Sequence, residues 1–503
     1  MSIFKNTICA PASAPGGAIA VIRVSGDEAI DIVDKIFVPA AVAGAPECQP
    51  QAATLAGSPE CQPQVAALAG AKGYTMHFGT IVERRQSEGV ERTIDQVVVS
   101  VFRAPASYTG ENSVEISCHG SAYVVQEILS LLVGNGASMA APGEFTQRAF
   151  VNGKMDLSQA EAVADLIASQ TAAAHRVALN QLKGGFSGEL SAMREELLKI
   201  VSLMELELDF SEEEVEFADR TQLRKLLDEV ISHISTLIES FTLGNAIKNG
   251  VPVVIAGSTN AGKSTLLNAI IGESRAIVSD IAGTTRDTIE ELYNIGGVQF
   301  RFIDTAGLRQ SSDAVEKIGI ERAYSKLSEA SLVLAVTDLC ASDAVISAQT
   351  DDILSRVGDG QNLVHVLNKA DAVTPERIAS VRNLIAKTSR EPSETAGVEF
   401  PQFVISAKTG QGLPELLHHV ASLYSMLDAA SETTLVTNVR HLDALKEALI
   451  SLQRVREALD TSLPTDLIAQ DIREALYHLG TITGSITTDE VLGNIFSHFC
   501  IGK

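Results

Sequence analysis

The sequence predicts a multidomain protein of mixed α/β and α+β class, and three observations support this prediction. Its 503 residues exceed what one hydrophobic core usually organises, so about three domains are expected. A buried-strand pattern at 251–256 leads into a glycine-rich loop and then a helical pattern, which is typical of an α/β unit. On both sides of this unit, apolar residues recur every three or four positions, as on one face of a helix.

The first 152 residues are predicted to form an α+β domain. Runs rich in β-branched residues, such as 18–24 and 96–102, alternate with Gly and Pro turns. An insertion at about 40–72 contains an Ala/Pro/Gln-rich unit that occurs twice, which is too few copies for a solenoid, so we expect a loop. Each copy carries a cysteine, Cys48 or Cys61, but no His or further Cys lies at ligand spacing, and duplication explains the pair better than a metal site.

Two helical blocks, 153–249 and 426–503, are predicted to pack together as one split all-α domain, with residues 250–425 inserted between them. The acidic run 212–214 is interpreted as a solvated connection. The periodic apolar positions are Met193, Leu197, Ile200 and Met204 in the first block, and Leu442, Leu445, Leu449, Leu452, Val455 and Leu459 in the second.

Charge and composition limit the function classes. The net charge of −24 repels a phosphate backbone over most of the surface, so a role with nucleic acid needs a local basic patch or a basic partner. The sequence contains no run of about 18 or more apolar residues, so no membrane span is predicted. The N-terminus lacks a secretory pattern and the six cysteines are dispersed, so we expect free thiols in a reducing cytoplasm.

The segment 257–264 has the pattern of a P-loop between a strand and a helix. Its glycines let backbone N–H groups converge on phosphates. Lys263 is expected to reach the β- and γ-phosphate oxygens, and the Ser264 hydroxyl is expected to bind Mg²⁺.

Two further segments suit the metal and the γ-phosphate. Asp304 follows a strand pattern and can hold the Mg²⁺ shell through water, while the amide of Gly307 can sense the γ-phosphate. Thr285, in the segment 283–287, supplies a hydroxyl suited to complete the metal shell. The order of these segments after the P-loop is that of a Ras-like P-loop domain with a mostly parallel sheet.

The base preference follows from residues 368–371, Asn-Lys-Ala-Asp, which come after an apolar strand pattern. The Asp371 carboxylate can accept hydrogen bonds from the N1–H and the exocyclic amine of guanine, a donor pair that adenine lacks. Residues 406–408, Ser-Ala-Lys, are expected to offer a backbone amide to guanine O6 and a side chain above the ring. GTP is therefore predicted over ATP.

The hydrolysis step must differ from that of Ras-like proteins, which carry a water-positioning glutamine where this chain has Leu308. Arg309 could neutralise developing charge, and Glu316 could orient water. From position alone, a solvated place on a switch helix is the alternative for both residues.

Together these motifs resemble the MnmE (TrmE) family of tRNA-modification GTPases. The resemblance covers nearly the whole chain. Outside the nucleotide motifs it rests on residues 22–26, 107–111, 118–120, 142–145, 148–150 and 499–503. Two features depart from the family pattern, namely the insertion and the Ser258-Thr259 pair, which replaces the more usual residue-proline pair of the P-loop.

The resemblance implies a K⁺-dependent GTPase that is activated when the G domains of a homodimer approach each other. Glu316 would act through water, with Lys263 and Thr285 as the other catalytic residues. Ser264 and Thr285 would bind Mg²⁺, and Asn260, Ser279, Ile281 and Thr284 would bind K⁺. The predicted nucleotide contacts are Asn260, Ala261, Gly262, Lys263, Ser264, Thr265, Ser279, Asp280, Ile281, Ala282, Gly283, Thr284, Thr285, Asp304, Thr305, Ala306, Gly307, Asn368, Lys369, Asp371, Ser406, Ala407 and Lys408.

The resemblance also implies that the N-terminal domain dimerises and binds 5-formyl- or 5,10-methylene-tetrahydrofolate through Arg23, Glu115, Lys154 and Lys503. With a FAD-dependent partner, MnmG, in a heterotetramer or larger complex, such a protein adds a carboxymethylaminomethyl or aminomethyl group at C5 of the wobble uridine of certain tRNAs. FAD would enter only through that partner, and no membrane is expected.

Cys500 is a candidate modification-site residue, with a packing role as the alternative, since sequence does not reveal a lowered thiol pKa. The terminal segment 500–503 does not fit a prenylation box, because Gly502 is not aliphatic and Lys503 is not a typical last residue.

Two other functions remain open at this point. One is a ribosome-assembly GTPase that uses the same nucleotide chemistry as a switch. The other is a non-enzymatic folate-binding scaffold in which GTP only sets the dimer geometry.

Overall fold

The computed structural model describes residues 6–40, 68–85, 90–209, 220–273, 291–303, 327, 330–358, 360–388, 400–424, 434–461, 465–497, 499 and 502. The chain divides into two compact units, residues 1–164 with 480–503, and residues 165–479. The duplicated insertion and the acidic run 212–214 lie outside the described residues.

In the first unit, seven strands of the described residues form one sheet in the order β3-β4-β5-β6-β2-β1-β7. The strands are antiparallel except for the pair β1 and β7. Their bounds are β1 (Ile8–Pro11), β2 (Ile19–Ser25), β3 (Phe37–Pro39), β4 (Thr75–Arg85), β5 (Val90–Phe102), β6 (Ser113–His119) and β7 (Ser138–Met139).

Four helices of this unit follow from the sequence pattern. They are α1 (Ala29–Ile36), α2 (Ala122–Gly134), α3 (Glu144–Val151) and α4 (Leu157–Ala168). In α1 the apolar residues fall on one face, and α1 and α2 share a buried core with alternating residues of the sheet such as Ile22, Val24 and Ile116. The predicted α+β class of this part of the chain is confirmed.

A row of large apolar side chains on this sheet is exposed. Tyr74, Met76 and Phe78 are 72%, 72% and 57% exposed. Met76 and Phe78 are alternate residues of β4 and so share one face of the strand, while Tyr74 lies just before β4 in a left-handed conformation with a φ of +61°. We call these three residues the apolar row.

In the second unit the chain continues through three helices, α5 (Ala172–Leu182), α6 (Gly185–Asp209) and α7 (Arg220–Asn249). Gly250 separates α7 from the first strand of a second sheet and has a φ of +81°, a left-handed conformation that glycine adopts with least strain at the end of a helix.

This second sheet has six strands among the described residues, in the order β13-β12-β11-β8-β10-β9. All neighbouring pairs are parallel except the hairpin β9–β10, so the predicted mostly parallel sheet is confirmed. The bounds are β8 (Val251–Ala256), β9 (Glu291–Ile295), β10 (Val298–Phe302), β11 (Leu332–Asp338), β12 (Asn362–Asn368) and β13 (Gln402–Val404).

Both faces of the parallel strands are buried, which explains why β8, β11 and β12 are almost continuously apolar. Four helices alternate with the strands, as a parallel sheet requires for its crossovers. They are α8 (Lys263–Glu273), α9 (Asp343–Leu354), α10 (Pro375–Thr388) and α11 (Leu413–Leu423).

Two helices follow the nucleotide module, α12 (Val439–Asp460) and α13 (Thr465–Thr483). α12 contacts α7, where Arg224 pairs with Asp460 at 2.6 Å, and the Gln181 amide of α5 donates to Leu435 O, just before α12, at 3.1 Å. Of the periodic apolar positions, Met193, Leu197, Ile200, Met204, Leu442, Leu445, Leu452 and Val455 are buried.

The last helix, α14 (Asp489–Ser497), belongs to the first unit, where Leu492 and Phe496 pack with Leu157 of α4. The predicted domain boundaries at 152/153, 249/250 and 425/426 stay predictions. In the described part of the chain, every helix is too short or too polar to cross a membrane.

Candidate nucleotide site

The P-loop lies between β8 and α8, at the carboxyl end of a central strand. Gly262 has a φ of +93°, and a Cβ there would lie 2.2 Å from Asn368 Nδ2. A Cβ on Gly257 would lie 2.4 Å from Val336 O. Both positions therefore require glycine, because the neighbouring strands approach the loop too closely for a side chain.

Lys263 is the first residue of α8, and its side chain is folded into the loop. Its Nζ donates to Gly257 O at 3.0 Å and to Ser258 O at 2.8 Å, and the residue is only 8% exposed. Ser264 is exposed one residue further along, in the first turn of the helix. Amides of a first turn lack partners within the helix and attract anions, so a phosphate at this end would meet the ammonium and the hydroxyl.

Asn260 occupies a left-handed backbone conformation, with a φ of +61°. Asparagine adopts this region more readily than most residues because its short polar side chain costs little there. The residue is exposed at the mouth of the loop. This is the residue for which the resemblance implies K⁺ binding.

Asn368, the last residue of β12, is a buried bridge between two loops. Its Nδ2 donates to Ala261 O of the P-loop at 2.9 Å, and its Oδ1 accepts the Ala407 N–H at 3.0 Å. Asn368 is only 2% exposed, so both bonds are shielded from water. Asn368 therefore holds the phosphate-binding loop and the segment 406–408 in one arrangement.

The predicted base-binding residues converge beside this bridge. Ala370 N donates to Ile405 O at 3.0 Å, which joins the segment 368–371 to the end of β13. The Ser406 hydroxyl donates to Asp371 and so lowers the pKa of that carboxyl, with smaller contributions from Lys408 and Lys369. Asp371 is thus an ionised acceptor on the surface, which suits a donor pair such as the N1–H and amine of guanine.

Arg23 and Glu115, two of the predicted folate ligands, lie side by side on β2 and β6. They are register partners, and Arg23 Nη2 lies 2.9 Å from Glu115 Oε1. The guanidinium also lies over the Tyr108 and Phe145 rings, 5.0 Å and 5.7 Å from their centroids. Phe145 is fully buried, so the Arg23–Glu115 pair and the half-buried Tyr108 ring form the surface that a planar heteroaromatic ring could bind.

Lys154, a third predicted folate ligand, reaches the loop that carries Tyr108, because its Nζ donates to Pro105 O at 3.1 Å. Gly502, next to the predicted ligand Lys503, lies so close to Pro11 O that a Cβ would come within 1.9 Å of it. Pro11 follows Ala10, the register partner of Arg23. Lys503 itself and Cys500 lie outside the described residues.

Two family models match the chain: "GTP-binding protein TrmE N-terminus" over residues 7–154, and "MnmE helical domain" over residues 157–500. A "tRNA modification GTPase MnmE" of Bacteroides fragilis is 50% identical over 499 residues, 99% of this chain and 100% of that protein. The chain belongs to the MnmE family. A protein of the same name from Flavobacterium johnsoniae is 46% identical over 512 residues and covers 100% of both chains.

Among solved structures, the G domain of the T. maritima FeoB iron transporter is 25% identical, with a TM-score of 0.23, over 35% of this chain and 98% of that domain. Membership in the MnmE family confirms the predicted resemblance and the predicted enzyme class, a GTPase.

Many predicted site residues lie outside the described residues and stay predictions. These are Ser279, Asp280, Ile281, Ala282, Gly283, Thr284, Thr285, Asp304, Thr305, Ala306, Gly307, Leu308, Arg309 and Glu316. The described residues of the MnmE-family nucleotide site are therefore the P-loop and the base-binding segments.

Two groups of residues make contacts that the sequence did not predict. One is Asp338, whose Oδ2 lies 2.7 Å from Lys369 Nζ. The other is the buried network of Arg148, which pairs with Glu144 at 2.7 Å and Glu111 at 3.3 Å. Asp338 was detectable, because it ends a strand whose neighbour carries Asn368. Arg148, Glu144 and Glu111 lie within the family motifs 148–150, 142–145 and 107–111, but no local pattern indicates that Arg148 pairs with Glu111, which is distant in sequence.

Burial makes two cysteines poor nucleophiles. It raises the pKa of the Cys9 thiol to about 11, and that of Cys118 to about 11 with a further contribution from Asp95. Both are free thiols, as is the exposed Cys340. Reactive cysteines have a lowered pKa, so Cys9 and Cys118 are packing residues.

Proposed function

We propose that the chain is a K⁺-dependent GTP hydrolase of the cytoplasm, active as a homodimer. With a FAD-dependent MnmG partner, it would install an aminomethyl or carboxymethylaminomethyl group at C5 of the tRNA wobble uridine, using a folate one-carbon unit. The observation that carries the proposal is the Asn368 bridge, which joins the phosphate-binding loop to the segment 406–408, whose Ser406 donates to the Asp371 carboxylate.

Guanine selectivity follows from Asp371. An ionised carboxylate can accept two hydrogen bonds from guanine, whereas adenine would leave it desolvated and unpaired. Its lowered pKa, caused first by the Ser406 hydroxyl, keeps it ionised. Lys263 would turn from the Gly257 and Ser258 carbonyls to the β- and γ-phosphates, exchanging neutral acceptors for charged ones.

The described residues fit both proposed cations. The exposed Ser264 hydroxyl at the start of α8 would hold Mg²⁺ together with Thr285, and the metal would neutralise charge on the phosphates. Asn260, exposed at the loop mouth, offers a side-chain oxygen of the hard type that alkali cations prefer. K⁺ there would supply positive charge next to the phosphates, with Ser279, Ile281 and Thr284 as the other proposed ligands.

The apolar row supports a homodimer. Met76 and Phe78 place two large apolar side chains on one face of β4, and Tyr74 adds a third exposed ring just before the strand. Clustered exposed apolar groups of this kind mark association surfaces in soluble proteins. Burial of the row against a second copy would remove these side chains from water.

Folate binding is supported by the paired Arg23 and Glu115 beside two aromatic rings. A pterin could stack against the half-buried Tyr108 ring and donate its amino edge to Glu115, while basic groups pair with the glutamyl carboxylates. Lys154 and Lys503 are the proposed partners of those carboxylates.

The relatives are named tRNA modification GTPases, which supports a role in tRNA modification over one in ribosome assembly. A net charge of −24 disfavours direct binding of an RNA backbone by most of this surface. A basic partner would supply the missing contacts to the RNA backbone, and we propose that MnmG is this partner.

The hydrolase part is tested by GTP turnover in KCl and in NaCl at equal ionic strength. We expect fast turnover in KCl alone. Equal and negligible rates in both salts would favour the non-enzymatic scaffold instead.

The tRNA part is tested by nucleoside analysis of wobble uridines in tRNA from cells that lack the protein. We expect the modified uridine to disappear and to return with the wild-type chain but not with Lys263→Ala. Unchanged nucleosides, together with a ribosome-assembly defect, would overturn this part.

A further inference from the structure

A carboxylate of no assigned role stands beside the base-binding segment. Asp338 is the last residue of β11 and the register partner of Asn368 on β12. Its Oδ2 lies 2.7 Å from Lys369 Nζ, and its Oδ1 accepts the Cys340 N–H at 2.9 Å. Each oxygen of the carboxylate therefore has a donor, and Lys369 is held by one of them.

The loop that follows Asp338 is fixed by Arg377 of α10. The Arg377 guanidinium donates to Leu339 O at 3.1 Å and to Ala341 O at 2.5 Å, and pairs with Asp343 at 2.5 Å. Three contacts from one rigid planar group hold this loop in place. Asp338 is consequently a well-positioned acceptor.

Lys369 has a second acidic neighbour in Asp371. Its charge contributes to the lowered pKa of that carboxyl, and the two residues are two positions apart in a tight turn. The Lys369 ammonium is a compact charge on a flexible four-carbon stem, so it can reach either carboxylate. An ammonium bonded to Asp371 would occupy lone pairs that guanine needs.

We propose that Asp338 is a positioning residue for guanine recognition: it holds the Lys369 ammonium and keeps it off Asp371. The Asp371 carboxylate then stays open to N1–H and the exocyclic amine of the base. This inference rests on the proposed guanine subsite. Asp338 would affect base selectivity only by positioning Lys369.

The test uses nucleoside diphosphates, whose binding does not depend on turnover. Asp338→Asn keeps the size of the side chain and an acceptor for Cys340 N–H, but weakens its hold on the ammonium. We expect GDP to bind roughly tenfold more weakly, about the contribution of one charge-assisted hydrogen bond. IDP, which lacks the exocyclic amine, should lose less, so the preference for GDP over IDP should fall.

A double-mutant cycle separates positioning from a structural role. In a Lys369→Met background no ammonium competes for Asp371, so adding Asp338→Asn should leave the GDP/IDP ratio unchanged. Lys369→Met alone should weaken binding of both nucleotides but keep the wild-type ratio. This second variant also tests the idea if Asp338→Asn does not fold.

The matched control is Asp352→Asn, which removes an exposed partner of Arg356 at a similar distance of 2.9 Å, and it should leave the ratio unchanged. The subsite itself is tested by Asp371→Asn. An amide donates to the C2 oxygen of xanthine, so that variant should prefer XDP to GDP. Without this switch, the guanine subsite is wrongly assigned.

If the switch occurs, two results overturn the role of Asp338. One is an unchanged GDP/IDP ratio in Asp338→Asn. The other is a change in that ratio that persists in the Lys369→Met background.

Discussion

Replacing Asn368 by alanine tests the bridge on which the nucleotide site depends. The substitution removes the bonds to Ala261 O and from Ala407 N–H, which measure 2.9 Å and 3.0 Å. Asn368 is 2% exposed, so both backbone groups are left without a partner in a buried place. Each such group costs about 1–3 kcal/mol, so the free energy of unfolding of this unit should fall by about 2–6 kcal/mol.

The same change should weaken GDP binding. Without the bridge, the P-loop and the segment 406–408 must be ordered by the nucleotide, and the free energy of ordering is taken from the binding free energy. We expect GDP affinity to fall at least about tenfold, equivalent to about 1.4 kcal/mol. Urea unfolding and calorimetric titration with GDP measure the two effects.

Asn362→Ala is the matched control for Asn368→Ala. Asn362 begins the same strand β12, at the opposite end, and its amide donates to the Tyr424 hydroxyl at 3.0 Å. Loss of this half-buried bond should lower the free energy of unfolding by about 1 kcal/mol and leave GDP affinity unchanged. The bridging role would be refuted if Asn368→Ala bound GDP as tightly as the wild type, or if both variants lost GDP affinity equally.

Three further predictions address acid stability, folate and hydrolysis. His365, 1% exposed on β12, has a pKa lowered to about 4 by burial, and neither ring nitrogen has a hydrogen-bond partner among the described residues. The unfolded chain takes up this proton near pH 6.5 and the folded chain only near pH 4, so stability falls as pH drops through that window, by about 3 kcal/mol. Between pH 7 and pH 4, the free energy of unfolding measured in urea should fall less for His365→Phe than for the wild type. Parallel pH profiles of the two proteins would contradict a lowered pKa of His365 as the cause. Arg23→Gln should weaken binding of 5-formyl-tetrahydrofolate about tenfold in calorimetric titration, because a charged donor is lost. Arg84→Gln breaks an exposed pair with Glu91 in the same unit and should leave folate affinity unchanged. Equal losses of folate affinity in the two variants would exclude Arg23 from the folate site. Glu316→Ala should bind GDP normally yet lose most GTP turnover in KCl, and unchanged turnover would exclude Glu316 from catalysis.

Much of the architecture was predictable because it depends on local rules. The P-loop follows from the glycines at 257 and 262 between a strand and a helix, and the structure shows neighbouring strands too close for a Cβ at either. The parallel sheet follows from apolar strand patterns separated by helices. The carboxyl ends of such strands meet at one edge, which predicts that segments 257–264 and 368–371 lie together.

The contacts within the site were less predictable. Asn368 was expected as part of a base-binding motif, but its bonds to Ala261 and Ala407 join residues far apart in sequence. The pairing of Arg23 with Glu115 likewise depends on the register of β2 against β6, which neither strand specifies alone. The apolar row was missed because the alternation of β4 shows that the strand has two faces, but not which face remains exposed.

By itself, the sequence determined the nucleotide chemistry of this protein, the class of its fold and its family. Those properties reside in short motifs, whose backbone conformation and functional groups require particular residues at fixed spacing. Only the tertiary structure decided that Asn368 ties two loops together, that Asp338 holds Lys369, and that the apolar row is exposed. Such contacts depend on which strands become neighbours, and that outcome is set by packing of the whole core rather than by any single segment.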